Sequence, residues 1–343
     1  MYLGNFDGKT CTTSVHSPNE AILCTGIPGS GKTCCMNKIE LHSVKEQKTV
    51  IIIDMHQTHS NERILHSIYN EYSHHLNRIS VIDDGLNVSM LEPIRSNTGA
   101  LEPFNHLVNS AVHSLSANQN MGSKQVVALR NAIIKAIQTK DSYTSESVAL
   151  ATALIQKDDE PSLTVYNKLW EILNNNILHS GNWQIQKGRI NIFDFIGVDD
   201  STQTLLSEIL LQNLWRKIQF AGEQNDLGEI IISIDELHNM SLEKDGILRI
   251  LLREGRKFGV NLLLATQTLC TFPKEVSSLL KLPATHLYFQ PTSNEIIPIA
   301  KEIRNSTGYD ITDGLANLRI GECIATGTFS INGIEIRRPL LLK

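Results

Sequence analysis

No apolar run in this 343-residue chain approaches the roughly 18 residues that a membrane-spanning helix needs. The amino terminus, MYLGNFDGKTC, has neither the basic start nor the apolar stretch of a secretory signal. A soluble cytoplasmic protein with no membrane segment of its own is therefore expected. Cysteine is sparse, with six residues in all. None forms a C-x-x-C pair or stands at zinc-finger spacing from histidine, which favours reduced buried thiols over a disulfide framework or structural zinc. Excess positive charge is also missing. A formal net charge of −5 excludes a wholly basic nucleic-acid coat but leaves room for a local basic groove. Internal repeats and low-complexity tracts are absent as well.

Apolar residues are plentiful, at 41%, enough for a sizeable core. They fall into short, near-continuous runs rich in β-branched residues. AILCTG (21–26), TVIIID (49–54), RISVID (78–83), RINIFDF (189–195), GEIIISIDEL (228–237) and VNLLLATQT (260–268) read as buried strands. Helical spacing between them predicts a mainly parallel sheet covered on both faces. Residues 98–180 differ. EPFNHLVNSAVHSL, SKQVVALRNAIIKAIQ and TVYNKLWEILNNN repeat their apolar positions with helical period, and TKDSYTSES reads as a turn. The expected layout is an α/β core in two parts, 1–97 and 181–343, interrupted by a helical insertion at 98–180. THLYFQ (285–290) and a helix near 294–305 follow. GECIATGTFS and GIEIRRPLLL read as antiparallel strands at the sheet edge.

Between the first strand and the first helix lies Gly26-Ile-Pro28-Gly29-Ser30-Gly31-Lys32-Thr33, a match to G-x-x-x-x-G-K-[ST]. Glycines at these positions let the backbone N–H groups ring an anion, and the following helix adds the positive end of its dipole. Lys32 would reach the β- and γ-phosphates, and the Thr33 hydroxyl would hold Mg²⁺. Asp235 and Glu236 close the strand IIISI at the carboxyl edge, where open α/β sheets bind ligands. There Asp235 would hold Mg²⁺ through water, and Glu236 would activate the attacking water. This pairing points to ATP hydrolysis, and no N/T-K-x-D motif for guanine is present. Gln267, at the tip of VNLLLATQ, would either sense the γ-phosphate or cap the next helix.

LLREGRKFGVNLLLATQT (251–268), taken with GIPGSGKT, VIIIDMH and IIISIDELH in that order, resembles the HerA–FtsK superfamily of ring-forming DNA-translocating ATPases. The likeness extends from Gly26 to Lys343 and is greatest to the HerA branch and the related conjugative-transfer ATPases. It implies a RecA-like core, a hexameric homo-oligomer with ATP and Mg²⁺ between subunits, and DNA in the central channel. It further implies that Asp54 is an acidic residue near the site, that Gln267 is a sensor, and that Arg253 or Arg256 is a finger reaching a neighbour's ATP. These arginines could instead pair with Glu254 or Asp235 in their own subunit. Lys124, Gln125, Arg256 and Lys257 are candidate DNA contacts. Many HerA proteins carry a β-barrel ahead of the phosphate loop, and with 25 residues before Gly26 none is expected here. Where the family often has a second arginine, this chain has Thr285 and His286. The leading expectation is a DNA translocase or helicase motor working with a nuclease or other effector, in DNA processing or antiviral defence. Two alternatives are an ATPase of conjugative transfer and an ATP-gated ring scaffold that regulates a partner enzyme.

Overall fold

Runs of isoleucine, valine and leucine build the centre of the molecule. The computed structural model describes residues 1–343 except 61, 62, 65, 97, 118, 222–225, 241 and 243–245. The chain opens with a hairpin, β1 (Tyr2–Phe6) and β2 (Lys9–Thr13). Strands β3 (Ile22–Thr25), β4 (Thr49–Asp54) and β5 (Leu76–Ser80) of the main sheet follow. Two short strands, β6 (Leu86–Asn87) and β7 (Leu178–His179), pair across the base of the helical region. Next come β8 (Ile190–Asp194), β9 (Ile230–Ile234), β10 (Val260–Thr266) and β11 (Thr285–Tyr288). The last four are β12 (Cys323–Thr326), β13 (Phe329–Ile331), β14 (Ile334–Ile336) and β15 (Leu340–Leu342).

The main sheet has the order β15-β12-β11-β3-β10-β9-β4-β8-β5. From β11 through β5 every neighbouring pair is parallel, whereas β12 and β15 are antiparallel. Side chains alternate across a strand, so each strand feeds two cores. Ile22, Cys24, Val50, Ile52, Ile231 and Leu263 face helix α1 (Lys32–Lys45) and the terminal strands. Leu23, Ile51, Ile53, Ile230, Ile232, Ile234 and Leu264 face the other way. There they meet α8 (Asp200–Ala221), α9 (Ile247–Glu254) and the helical region, in which α3 (Phe104–Ser116), α4 (Ser123–Thr139), α5 (Glu146–Ile155), α6 (Glu160–Lys168) and α7 (Trp170–Asn174) pack together. Short helix α2 (Tyr69–Ser73) precedes β5. Helices α10 (Lys274–Leu279), α11 (Ser293–Thr307) and α12 (Thr312–Ala316) complete the set, α11 and α12 sharing a small core with Tyr288 and Ile324. Among the described residues no helix is long and apolar enough to cross a membrane.

The structure corrects several local expectations. The third strand lies at Leu76–Ser80 rather than 78–83, because its partner β8 ends at Asp194. The Val81 N–H closes the pairing on the Asp194 carbonyl at 3.0 Å and the chain then turns. The helix expected over TVYNKLWEILNNN is interrupted at Leu169, giving α6 and α7. Helix α5 begins inside the stretch read as a turn, capped by Ser145 Oγ, which accepts from Val148 N at 3.2 Å. Of the C-terminal strands only β12 and β15 extend the main sheet. β13 and β14 instead join the N-terminal hairpin in a four-stranded sheet ordered β1-β2-β13-β14.

A buried ion pair fastens the helical region to the core. Arg216 on α8 donates through Nε and Nη2 to the Glu102 carboxylate at 2.7–3.1 Å, and both side chains are almost fully buried. Nη2 also donates to Glu92 O and Nη1 to Asn213 Oδ1. Burial alone would raise the Glu102 pKa, but hydrogen bonds from Arg216 and His106 more than reverse this and lower it. Replacing one partner strands the other charge in the interior. Glu102→Ala is expected to cost about 3–5 kcal/mol in urea unfolding, and a Glu102→Leu/Arg216→Met pair to recover most of that loss.

Candidate active site

Steric crowding fixes the shape of the phosphate loop. The backbone at Gly26 has φ +150°, and a Cβ there would lie 2.8 Å from Phe289 Cβ at the end of β11. At Gly31 φ is +109°, and a Cβ would meet Gly321 Cα at 3.0 Å. Only glycine satisfies both the left-handed backbone and the close neighbour. The Gly321 N–H donates to Ser30 O at 2.9 Å, so the turn before β12 is seated on the loop. Ser30 Oγ donates to Ile27 O at 2.7 Å and Ile27 N to Gln290 O at 2.8 Å. Pro28 and Gly29 form the outer, exposed rim of the loop.

Helix α1 starts at Lys32, directly after the loop. Lys32 is almost fully buried, and its Nζ donates to Gly26 O at 2.6 Å and Ile27 O at 3.1 Å. Burial lowers its pKa, with Asp235 and Glu236 acting in the opposite direction. Thr33 Oγ1 donates to Asp235 Oδ2 at 2.7 Å, joining the start of α1 to the carboxyl end of β9. One residue on, the backbone turns left-handed at Glu236, φ 61° and ψ 55°, a conformation uncommon outside glycine and concentrated at functional positions. This turn brings the Glu236 carboxylate to Gln267 Nε2, which donates at 3.1 and 3.2 Å. His238 Nδ1 lies 3.2 Å from the same carboxylate, a neighbour the sequence reading did not single out.

Lys32, Thr33, Asp235, Glu236 and Gln267 thus converge at the carboxyl edge of β3, β9 and β10. A hydroxyl beside a carboxylate is a hard-oxygen donor set, which suits Mg²⁺. The glycine-lined loop beside it is a cradle that any Cβ at 26 or 31 would obstruct. The residues present therefore fit a magnesium–nucleotide group. Asp54 ends β4 next to β9, but its carboxylate turns into its own loop. It accepts from Thr58 N at 2.8 Å, Thr58 Oγ1 at 3.1 Å and His59 N at 3.0 Å.

Arg253 and Arg256 lie elsewhere. α9 descends to the start of β10, so both arginines are at the amino edge of the sheet, opposite the phosphate loop. Both are exposed, and Arg256 Nη1 donates to Pro18 O, ahead of β3. Among the described residues neither pairs with Glu254 or Asp235. Of the candidate DNA contacts, Gln125 is engaged locally, its Oε1 accepting from Gly122 N at 3.2 Å and Lys168 Nζ at 3.1 Å. Lys124 is exposed and lines a groove of about 830 Å³ together with Lys135 and Lys157. Lys257 is exposed.

Sequence reading also missed a buried polar cluster under the site. Glu40, His59 and Tyr72 are fully buried. Glu40 Oε1 lies 3.2 Å from His59 Nε2, and Glu40 Oε2 accepts from Tyr72 Oη at 2.6 Å. The only available signal was a glutamate on the apolar side of α1, seven residues after Thr33. Burial alone would lower the His59 pKa, but Glu40 outweighs it and raises the pKa to about 9. Stability from the charged imidazole is therefore fully present below the unfolded pKa near 6.5 and is lost as pH rises through about 9. Thermal unfolding followed from pH 6 to 9.5 should show Tm falling more steeply with pH in the native chain than in a His59→Gln variant.

A search among curated proteins by sequence finds no match. Among solved structures, VirB4 of Thermoanaerobacter pseudethanolicus is similar over 100% of this chain and 95% of its own, with TM-score 0.69 and 15% identity. The bacterial conjugative coupling protein TrwBdeltaN70 is similar over 99% and 89%, with TM-score 0.66 and 14% identity. At such identities the likeness speaks for the fold alone: a RecA-like P-loop core with a mostly parallel sheet. The family model described as "Helicase HerA, central domain" matches residues 21–214, more than half of the sequence, and the chain belongs to that family.

Proposed function

We propose that this chain is an ATP-hydrolysing motor of the HerA type, acting as a hexameric ring on DNA. The observation that carries the reading is the 2.7 Å contact between Thr33 Oγ1 and Asp235 Oδ2 beside the glycine loop. Membership of the HerA family supports it. So do the structures of the plasmid coupling protein TrwB in complex with ADP and Mg²⁺ and with a non-hydrolysable ATP analogue.

In this reading the loop amides from Gly26 to Gly31 bind the phosphates. Lys32 releases the Gly26 and Ile27 carbonyls to reach the β- and γ-oxygens. Thr33 and Asp235 would hold magnesium, which supplies positive charge to the phosphate oxygens when bound. Glu236 accepts a proton from the water that attacks the γ-phosphorus, or orients that water. Gln267, already hydrogen-bonded to Glu236, reports the state of the γ-phosphate to β10. Asp54 acts at one remove, holding the loop after β4.

The exposed arginines at the opposite edge of the sheet cannot serve their own loop. A neighbouring protomer stacked edge to edge would present Arg256 or Arg253 to it, where a guanidinium offsets charge developing on the transferred phosphoryl group. The ring needs only a few cations per subunit to contact a DNA backbone, because every subunit repeats them. The lysines of the groove between α4, α5 and α6 are candidates alongside Lys257. A nuclease or other effector would use the strand movement, in DNA processing or antiviral defence. A motor of conjugative transfer would use the same site, and the full-length similarity to VirB4 and TrwB folds keeps that reading second.

Glu236→Gln should keep nucleotide binding and lose ATP turnover by about 10²-fold or more, whereas Lys32→Ala should lose binding itself. Fluorescent-nucleotide titration and phosphate release separate the two, and full-speed hydrolysis by Glu236→Gln would remove Glu236 from its assigned role. Mixing Arg256→Ala subunits with native ones should depress ATPase activity more than simple dilution predicts. A loss that merely tracks the fraction of variant would assign the arginine to its own subunit.

A further inference from the structure

A helix and a strand that face each other at two heights cannot slide or tilt independently. α1 and β9 run in opposite directions, and Thr33–Asp235 is their upper contact. The lower contact is Ser233 Oγ, donating to Glu40 Oε1 at 2.6 Å. Ser233 and Asp235 are two residues apart and so share one face of β9. Thr33 and Glu40 are seven apart and so lie on one side of α1. Two residues of strand rise about 6.7 Å and seven of helix about 10.5 Å, so the contacts are well separated along both elements.

Glu40 is held from the other side as well. Tyr72 Oη donates to its Oε2 at 2.6 Å, Asn37 Nδ2 donates at 3.4 Å, and His59 Nε2 stands 3.2 Å from Oε1. All five side chains are fully buried. His59 is in turn fixed by its backbone N–H on Asp54. A carboxylate this deep persists only when every partner is in place, which makes its position well defined.

We propose that Glu40 and Ser233 are positioning residues that set the height of α1 against β9, and thereby the separation of the Thr33 hydroxyl from the Asp235 carboxylate at the metal position. The inference rests on reading that hydroxyl and carboxylate as the magnesium-bearing pair. Neither residue reaches the nucleotide, and both act through the spacing they impose. Groups that hydrogen-bond a metal's ligands typically change its affinity by about 10–100-fold when removed, and Ser233, one step further out, is placed at the lower end of that range.

The test uses Mn²⁺ as the probe, followed by electron paramagnetic resonance on the ADP-bound full chain, with Tm measured alongside. Ser233→Ala should weaken Mn²⁺ binding by about 10-fold while ADP affinity in EDTA stays unchanged, and Ser233→Thr should restore it. Tyr72→Phe removes a hydrogen bond that Glu40 receives from α2 rather than from β9, so it should lower Tm and leave Mn²⁺ affinity near the native value. Native Mn²⁺ affinity in Ser233→Ala would overturn the inference. Equal weakening in Tyr72→Phe would also overturn it, reducing Glu40 to a packing element. If the native chain binds ADP but no Mn²⁺, the magnesium-site reading itself fails, and the positioning role goes with it.

Discussion

A 2.7 Å hydrogen bond from Thr33 to Asp235 joins two elements whose sequences have nothing local in common. One residue lies in the first turn of α1 after a glycine loop, and the other closes a strand of isoleucines 202 positions later. The remaining geometry of the site follows from that joint. Glu236 must turn left-handed directly after it, because β9 has ended and the carboxylate has to reach back across β10 to Gln267. Lys32 is drawn into the loop beside it, where burial weakens its hold on a proton. The parallel order β3-β10-β9-β4 makes this convergence possible, since every strand delivers its last residue to one edge.

The same order separates the arginines from the loop. A chain that leaves β9 at the carboxyl edge must return to the amino edge before β10 can run parallel to it, and α9 makes that return. Arg253 and Arg256 are carried along. Their distance from the phosphate loop is therefore a consequence of the crossover that joins two parallel strands rather than of any particular contact. Arginines so placed are of use to ATP only if protomers meet edge to edge.

Much of this was legible in the sequence because it is written in local steric and period-2 terms. The glycines of the loop, the isoleucine run ahead of Asp235 and Glu236, and the apolar strand ahead of Gln267 each announce themselves within ten residues. What was not legible depends on partners far away in the chain. The Glu40 cluster draws on residues 59, 72 and 233, and a glutamate on a helix normally signals solvent. The Glu102–Arg216 pair is hidden for the same reason. The early end of β5 is dictated by the length of β8, and the four-stranded terminal sheet by pairing of β2 with β13. Helix α5 was missed because its polar, serine-rich entrance reads as a turn, although Ser145 there is a helix cap.

The phosphate loop is backed by Phe289 on one side and Gly321 on the other, both from the last part of the chain. During synthesis the glycine segment emerges early, with neither support in place. A nascent polypeptide therefore carries the full nucleotide motif through the synthesis of every residue between Thr33 and Phe289 without the scaffold that gives the motif its shape. Competence for triphosphate arises only once Phe289 and Gly321 are in place, as a property of the assembled fold rather than of the segment that bears the signature.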